Sequence, residues 1–204
     1  SGGVDAIYTI STPITNIVRS VVDGNMPVIF NVVSDPEGVK LVETLQKPGG
    51  NFTGCSNAVG QTGPKRLEIL KTLLPQAKNI LVLYDKDNQF SQGAIVLLRD
   101  AARELDVNIT EKFISSKEDI IATMSAVKSG EYDAFFHLGE AKVSGSAMEV
   151  IALANERKLP TFAHARNFVE NGMLAIFGPS WRDLGEQCAL TVDKVLNGTS
   201  PSEI

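Results

Sequence analysis

The residues of this chain best suited to chemistry are polar side chains that each follow directly on an apolar run. Ser11-Thr12-Pro13 follows the first run, Ser34-Asp35-Pro36 the second and Cys55-Ser56-Asn57 the third. Tyr84 and Asp85 close the run NILVLY, His137, Gly139 and Glu140 stand at the end of YDAFFH, and His164, Arg166 and Asn167 follow PTFA. Ligands of open α/β sheets bind at the carboxyl ends of strands, so these positions matter if the runs are strands. Hydroxyls and backbone N–H groups at a helix start suit a carboxylate or another anion, although Ser11 or Thr12 would serve equally as an N-cap. Asp35 would accept from a ligand ammonium or hydroxyl, or cap a turn. Taken together, the set suits a small molecule carrying both charges, such as an amino acid. Glu140 and Asp35 would take the ammonium, and Ser11, Thr12 and Ser56 the carboxylate, through charge-assisted hydrogen bonds.

The same residues make a poor catalytic inventory. There is no GxSxG elbow, no GxxxxGK[ST] loop, and no GxGxxG after a strand. His137 and Glu140 lie three apart and with His164 would sketch a metal site. A histidine at a strand end is more often a ligand contact or a satisfied polar residue, so neither metal nor cofactor is expected and the chain does not read as an enzyme. Cys55 and Cys188 have no CxxC neighbour and read as two buried free thiols, which pack as small apolar groups.

The elements that must position these residues alternate along the chain. Val4–Ile10, Met26–Val33, Asn51–Ser56, Asn79–Tyr84, Val107–Ile114, Tyr132–His137, Pro160–Ala163 and Met173–Phe177 read as strands. Helices are expected over Ile14–Val22, Pro64–Leu74, Ser91–Leu105, around Ile120–Val127, from Met148 to near Lys158, and over Leu184–Leu196. The spacing of Leu67, Leu70 and Leu74, or of Ile95, Leu98, Ala102 and Leu105, is that of one helical face. Such alternation predicts parallel sheets covered by helices on both faces. Pro75 ends one helix before a fresh strand–helix series, and Gly178-Pro179-Ser180 offers a second crossing. The expectation is therefore two doubly wound lobes, residues 1–75 with 180–204 in the first and 76–179 in the second.

Composition narrows the partners. With 19 basic and 24 acidic residues the formal charge is −5, and without a basic run the chain lacks the electrostatic footprint of a nucleic-acid binder. Aromatics make up only 6% of it, too few for a stacking platform along a single strand. No apolar stretch reaches the roughly 18 residues that span a bilayer.

The runs VDAIYTISTP, MPVIFNVVSDPEG and LVETLQKPGGNFTGCS, together with ILKTLLPQAKNILVLYD, ANERKLPTFA and DLGEQCALTVDKVLNG, resemble the tryptophan-binding-like family of ABC transporter substrate-binding proteins, in order over nearly the whole chain. The resemblance implies a type I periplasmic-binding fold, two doubly wound lobes that close on a solute, and a role in uptake of amino acids or related organic solutes. It places Thr12 in the first binding loop, Asp35 after the next strand, Ser56 after the third and Tyr84 at a hinge-facing strand end. Where the family often has Thr-Asp-Asn, this chain has Gly139-Glu140-Ala141. Where a Ser-Asp-rich loop is common, it has Ala163-His164-Ala165-Arg166-Asn167, and Arg166 would suit a second anionic group on the ligand. The resemblance also implies that the first lobe lacks the strand–helix units with which such proteins begin, which would expose a sheet edge and permit self-association.

The resulting expectation is a non-catalytic solute receptor, periplasmic or membrane-anchored outside the cell, that hands a small molecule to an ABC permease. A ligand-sensing domain of a signalling protein with the same fold, a flavodoxin-like or nucleotide-sugar enzyme, and the effector domain of a transcription factor remain open alternatives.

Overall fold

The protein is described by a computed structural model covering Gly3–Ile204; Ser1 and Gly2, which open the expected first lobe, lie outside the described residues. In chain order the elements are β1 (Ile7–Ile10), α1 (Thr12–Val21), β2 (Val28–Val33), β3 (Phe52–Ser56), α2 (Gly63–Leu73), β4 (Asn79–Tyr84), α3 (Gln89–Glu104) and β5 (Asn108–Phe113), then α4 (Lys117–Ala126), β6 (Ala134–Phe136), α5 (Ala141–Gly145), α6 (Ala147–Glu156), β7 (Thr161–Ala163), α7 (Arg166–Glu170), β8 (Ala175–Ile176) and α8 (Trp181–Leu196). The chain divides into two compact units, Ser1–Ala58 with Pro179–Ile204, and Val59–Gly178.

The first unit holds a parallel sheet in the order β1-β2-β3. Alternate residues of a strand face opposite sides, and β2 shows this directly. Val28 and Phe30 pack with Val18 and Val22 of the α1 side and with Leu41 and Val42 of the following loop. Ile29 packs with Cys188, Val192 and Val195 of α8. Pro13 stands in the first turn of α1, where its missing N–H costs nothing. Gly54 in β3 has φ 151°, and a Cβ there would overlap the Phe30 carbonyl oxygen. Gly54→Ala is therefore expected to force β2 and β3 apart and cost about 1–3 kcal/mol. An unchanged urea midpoint would contradict so close a backbone approach. In the same unit Tyr8 and Ile10 of β1 and Ile14, Ile17 and Val21 of α1 are exposed.

The second unit holds a five-stranded parallel sheet in the order β5-β4-β6-β7-β8. Chain order reverses between β4 and β6, the switch point at which open α/β sheets form a crevice. On one face Ile80, Val82, Tyr84, Phe136 and Phe162 pack against Leu67 and Leu70 of α2 and Ala94, Ile95 and Leu98 of α3. Leu81, Leu83 and Phe135 alternate to the other face, where α4 packs on α6 with Ile120, Met124, Val150 and Ile151 buried. Helix starts are set by local chemistry. Asn88 accepts the Ser91 N–H at 3.1 Å to open α3, and Ser116 and Asp119 form a reciprocal capping box at α4. The helix after Pro64, expected in the first lobe, packs instead in this unit, because Leu67 and Leu70 belong to its core. Pro75 stops that helix, but the chain crosses into the second unit earlier, near Ala58.

Candidate functional site

In the first unit the carboxyl ends of all three strands are tied together by polar groups. Thr12 Oγ1 accepts the Ser34 N–H at 3.3 Å. The Ser56 hydroxyl reaches the Ser34 carbonyl at 3.5 Å and accepts the Ala58 N–H at 3.1 Å. Ser11 stands before α1 with φ 79° and makes no side-chain cap. Its carbonyl takes both the backbone N–H and the hydroxyl of Thr15, at 3.1 and 2.8 Å. The first-turn N–H groups of α1 are thus left without the side-chain acceptor that usually serves them. Asp35 spends Oδ1 on the Gly38 N–H at 2.9 Å, closing a turn. Val32 has φ 59° where the pairing of β2 with β3 slips between Asn31 and Val33. A β-branched residue rarely holds that conformation, which costs of order 1–3 kcal/mol and gathers at functional sites. The bulge re-aims the chain just ahead of Ser34 and Asp35.

In the second unit the switch point is polar and largely enclosed. Asp85, at the end of β4, accepts the Asp87 N–H at 2.9 Å through Oδ1 and pairs through Oδ2 with the Lys142 ammonium of α5. The hydrogen bond from Lys142 holds the Asp85 carboxyl below the usual carboxylate range. His137, at the end of β6, is fully buried. Its Nδ1 accepts the Gly139 N–H at 2.9 Å and its Nε2 lies 3.2 Å from Ser144 Oγ. With Nδ1 accepting, Nε2 carries the hydrogen and donates to Ser144, whose hydroxyl donates onward to the Glu140 carbonyl at 3.0 Å. Burial, reinforced by the Arg66 charge, pushes the His137 pKa down to about 3, so the ring is neutral. His164 lies with its ring centre 5.0 Å from that of His137, and Phe168 stands 4.9 and 5.2 Å from the two. Burial lowers the His164 pKa well below its ordinary value too.

Glu140 is 1% exposed. Its Oε2 accepts the Val143 N–H at 2.8 Å, capping α5, while Oε1 has no partner among the described residues. Gly139 makes the approach possible. It has φ 107°, and a Cβ there would collide with the Val59 side chain. Beneath the loop lies Arg66, wholly buried. Its guanidinium donates to the carbonyls of His137, Leu138 and Val59 at 2.7, 3.0 and 3.0 Å and lies 4.8 Å from the centre of the Phe136 ring. Burial lowers its pKa to about 9, so it remains charged at neutral pH.

Not every expected residue joins these groups. Tyr84 points into the core under α2 and α3, and its hydroxyl donates to Glu111 Oε2 at 2.7 Å beside the Arg99–Glu111 ion pair. Burial pushes its pKa up to about 12. Arg166, expected to read a second anionic group, is 86% exposed and ion-paired to Glu170 one turn along α7, a spacing that suits a helix-surface pair. Ser11, Thr12, Asp35 and Ser56 in one unit, and Asp85, His137, Glu140 and His164 in the other, are the expected residues that stand at strand ends. Arg66, Ser144, Lys142 and Phe168 escaped the sequence reading. Lys142 was within reach of it, two residues beyond Glu140. Arg66 gives no signal, because one cation in a leucine-spaced helix reads as its solvent face.

Comparison with known proteins agrees with this architecture. Residues 2–204 match the family model described as ABC transporter substrate binding protein, and the chain belongs to that family. It is 32% identical over 200 residues to a tyrosine-binding protein of Clostridioides difficile (strain R20291), covering 98% of this chain and 57% of that protein. The chain thus spans little more than half the length of that relative. Among solved structures it is similar to the ABC domain from Streptococcus pneumoniae in complex with L-Trp, with TM-score 0.86 and 25% identity over all of this chain and 68% of that one. It is also similar to a conserved domain protein from Vibrio cholerae, with TM-score 0.87 and 29% identity over 99% of this chain and 67% of that one. The fold is the two-lobed α/β periplasmic-binding type, with a parallel sheet in each lobe.

Proposed function

We propose that this chain is the extracytoplasmic solute receptor of an ABC importer, that it binds a small amino-acid-like zwitterion at its strand ends without reacting it, and that a membrane permease then takes up the solute. The observation that carries the solute class is Glu140. A buried carboxylate with an unused oxygen costs of order 1–3 kcal/mol or more, and a ligand ammonium supplies the missing partner. In the first unit by itself, the Ser11–Thr12 start of α1, where Ser11 makes no side-chain cap, suits an anionic group. The flat rings of His164 and Phe168 suit an apolar side chain. The relatives that bind tyrosine and L-Trp support an aromatic amino acid as the first solute to try. The strand order of the second unit is also that of flavodoxin-like proteins, but order alone carries no chemistry.

Isothermal titration with tyrosine, tryptophan and leucine tests the reading. Glu140→Gln keeps the shape and the cap to α5 while removing the charge, and it is expected to weaken binding about 10- to 100-fold, the range of a buried charge-assisted bond. Binding of an amino acid with unchanged affinity in Glu140→Gln would remove Glu140 from the site. Failure of the wild type to bind any amino acid would remove the solute class.

A further inference from the structure

The cations at the strand ends of the second unit are already committed. Arg66 spends its guanidinium on three backbone carbonyls, and Arg166 is paired with Glu170. His137 and His164 are buried and neutral. The loops after β4 and β6 add two ammoniums, Lys86 and Lys142, and three carboxylates, Asp85, Asp87 and Glu140. Lys86 and Asp87 are exposed, where water and salt weaken any pull on a solute. Lys142 differs, because α5 carries it to the end of β4, where it pairs with Asp85 Oδ2.

The two members of that pair are not equivalent. The Asp85 side chain is only 12% exposed, and its Oδ1 is fixed by the Asp87 N–H at 2.9 Å. The Lys142 side chain is 43% exposed, on a flexible stem. The carboxylate is therefore the anchored member and the ammonium the reachable one. Lys142 also stands two residues beyond Glu140, whose Oε1 is without a partner among the described residues. The hydrogen bond between them lowers the Asp85 pKa and raises that of Lys142, so both stay charged at neutral pH. We propose, on the basis of the amino-acid site above, that Asp85 is a specificity-determining residue: by occupying Lys142 it denies this crevice a cation and excludes solutes with an acidic side chain. A solute anion that took Lys142 would strand the Asp85 carboxylate, buried and unpaired, and that penalty outweighs one new bond near the surface. The same pairing leaves Glu140 as the one buried carboxylate of these loops open to a solute ammonium.

Asp85→Asn isolates the effect. The amide keeps an oxygen for the Asp87 N–H but turns its NH2 toward Lys142, so two donors meet and the ammonium is released. Isothermal titration of the full chain compares glutamate with glutamine and aspartate with asparagine. In Asp85→Asn the acidic member of each pair is expected to bind about tenfold more tightly than its amide, the scale of one charge-assisted hydrogen bond. Adding Lys142→Met should abolish that preference, and Asp85→Glu should not acquire it. An unchanged ratio of acid to amide, or a loss of affinity shared by all four solutes, would overturn the proposal, since a pair that merely holds α5 in place predicts the latter. If Asp85→Asn does not fold, Lys142→Met gives the mirror result: the freed Asp85 carboxylate should favour lysine over norleucine about tenfold, and no such preference would overturn the proposal equally. Wild type that binds no amino acid removes the solute class alone, because each ratio is read within a variant.

Discussion

Arg66→Ala is expected to destabilise the protein by roughly 3–5 kcal/mol, the cost of breaking a buried charged cluster on one side, with a fall in melting temperature on the order of 10 °C. Arg66 has no carboxylate partner among its hydrogen bonds. Three backbone carbonyls and the face of Phe136 receive its charge. Removing it strands the carbonyls of Val59, His137 and Leu138 in the interior, and each unmet group carries a penalty of about 1–3 kcal/mol. The planar fork matters as much as the charge, since one guanidinium nitrogen serves Val59 and Leu138 while another serves His137. Arg66→Lys, a point donor on a more flexible stem, should recover only part of the loss. The carbonyls of His137 and Leu138 lead directly into Gly139-Glu140, so solute affinity should fall even at temperatures where the variant is folded. A denaturant midpoint within 0.5 kcal/mol of wild type would show that water satisfies these carbonyls unaided.

A second large effect is expected in acid. His137 and His164 are neutral in the folded protein because burial disfavours their charged forms. Unfolded, each takes up a proton near its ordinary pKa of about 6.5. Above that pH neither state binds the proton and stability is unaffected. Below it the unfolded chain binds more protons than the folded one, so stability falls as pH falls, until His137 itself protonates near 3. The slope approaches about 1.4 kcal/mol per pH unit for each histidine, or roughly 2.7 for the pair. Asp85, Glu111 and Asp133 also lose stabilising interactions in acid, since hydrogen-bonded partners depress each of them. That loss starts only near the unfolded carboxylate values of about 4. Between pH 6 and pH 4.5 the histidines therefore act alone. Urea midpoints across that window should fall steeply in wild type and about half as steeply in His137→Gln. Parallel slopes would show that His137 gains its proton without unfolding.

Much of the fold was legible because burial writes itself into residue type. NILVLY became β4 with five of its six residues buried, and the leucine and alanine stripes became α2 and α3. Two short helices, α5 and α7, were missed, since five residues hold little more than one helical turn and show no period. The candidate site was legible at the level of position and much less so at the level of pairing. That Asp85 and Glu140 follow strands can be read from the sequence. That Asp85 is neutralised by Lys142 while Glu140 keeps an open oxygen depends on side-chain directions that only the folded chain sets. Arg166 shows the limit most clearly, because a cation in a promising loop is satisfied one helical turn away by Glu170. The bulge at Val32 left no trace either, since valine is the residue least expected at a positive φ.

The discontinuous first unit has a consequence for how the protein is made. The three described strands of its sheet have all emerged from the ribosome once Ser56 has, but α8, which covers Ile29 and Cys55, is encoded after the whole of Val59–Gly178. At translation rates of about 5–20 residues per second, that face stays uncovered for on the order of ten seconds, while the continuous second unit can already fold. Nascent chains halted shortly before Pro179 should therefore bind general chaperones through residues 3–58, and release them once Trp181–Leu196 has left the ribosome and can cover that face.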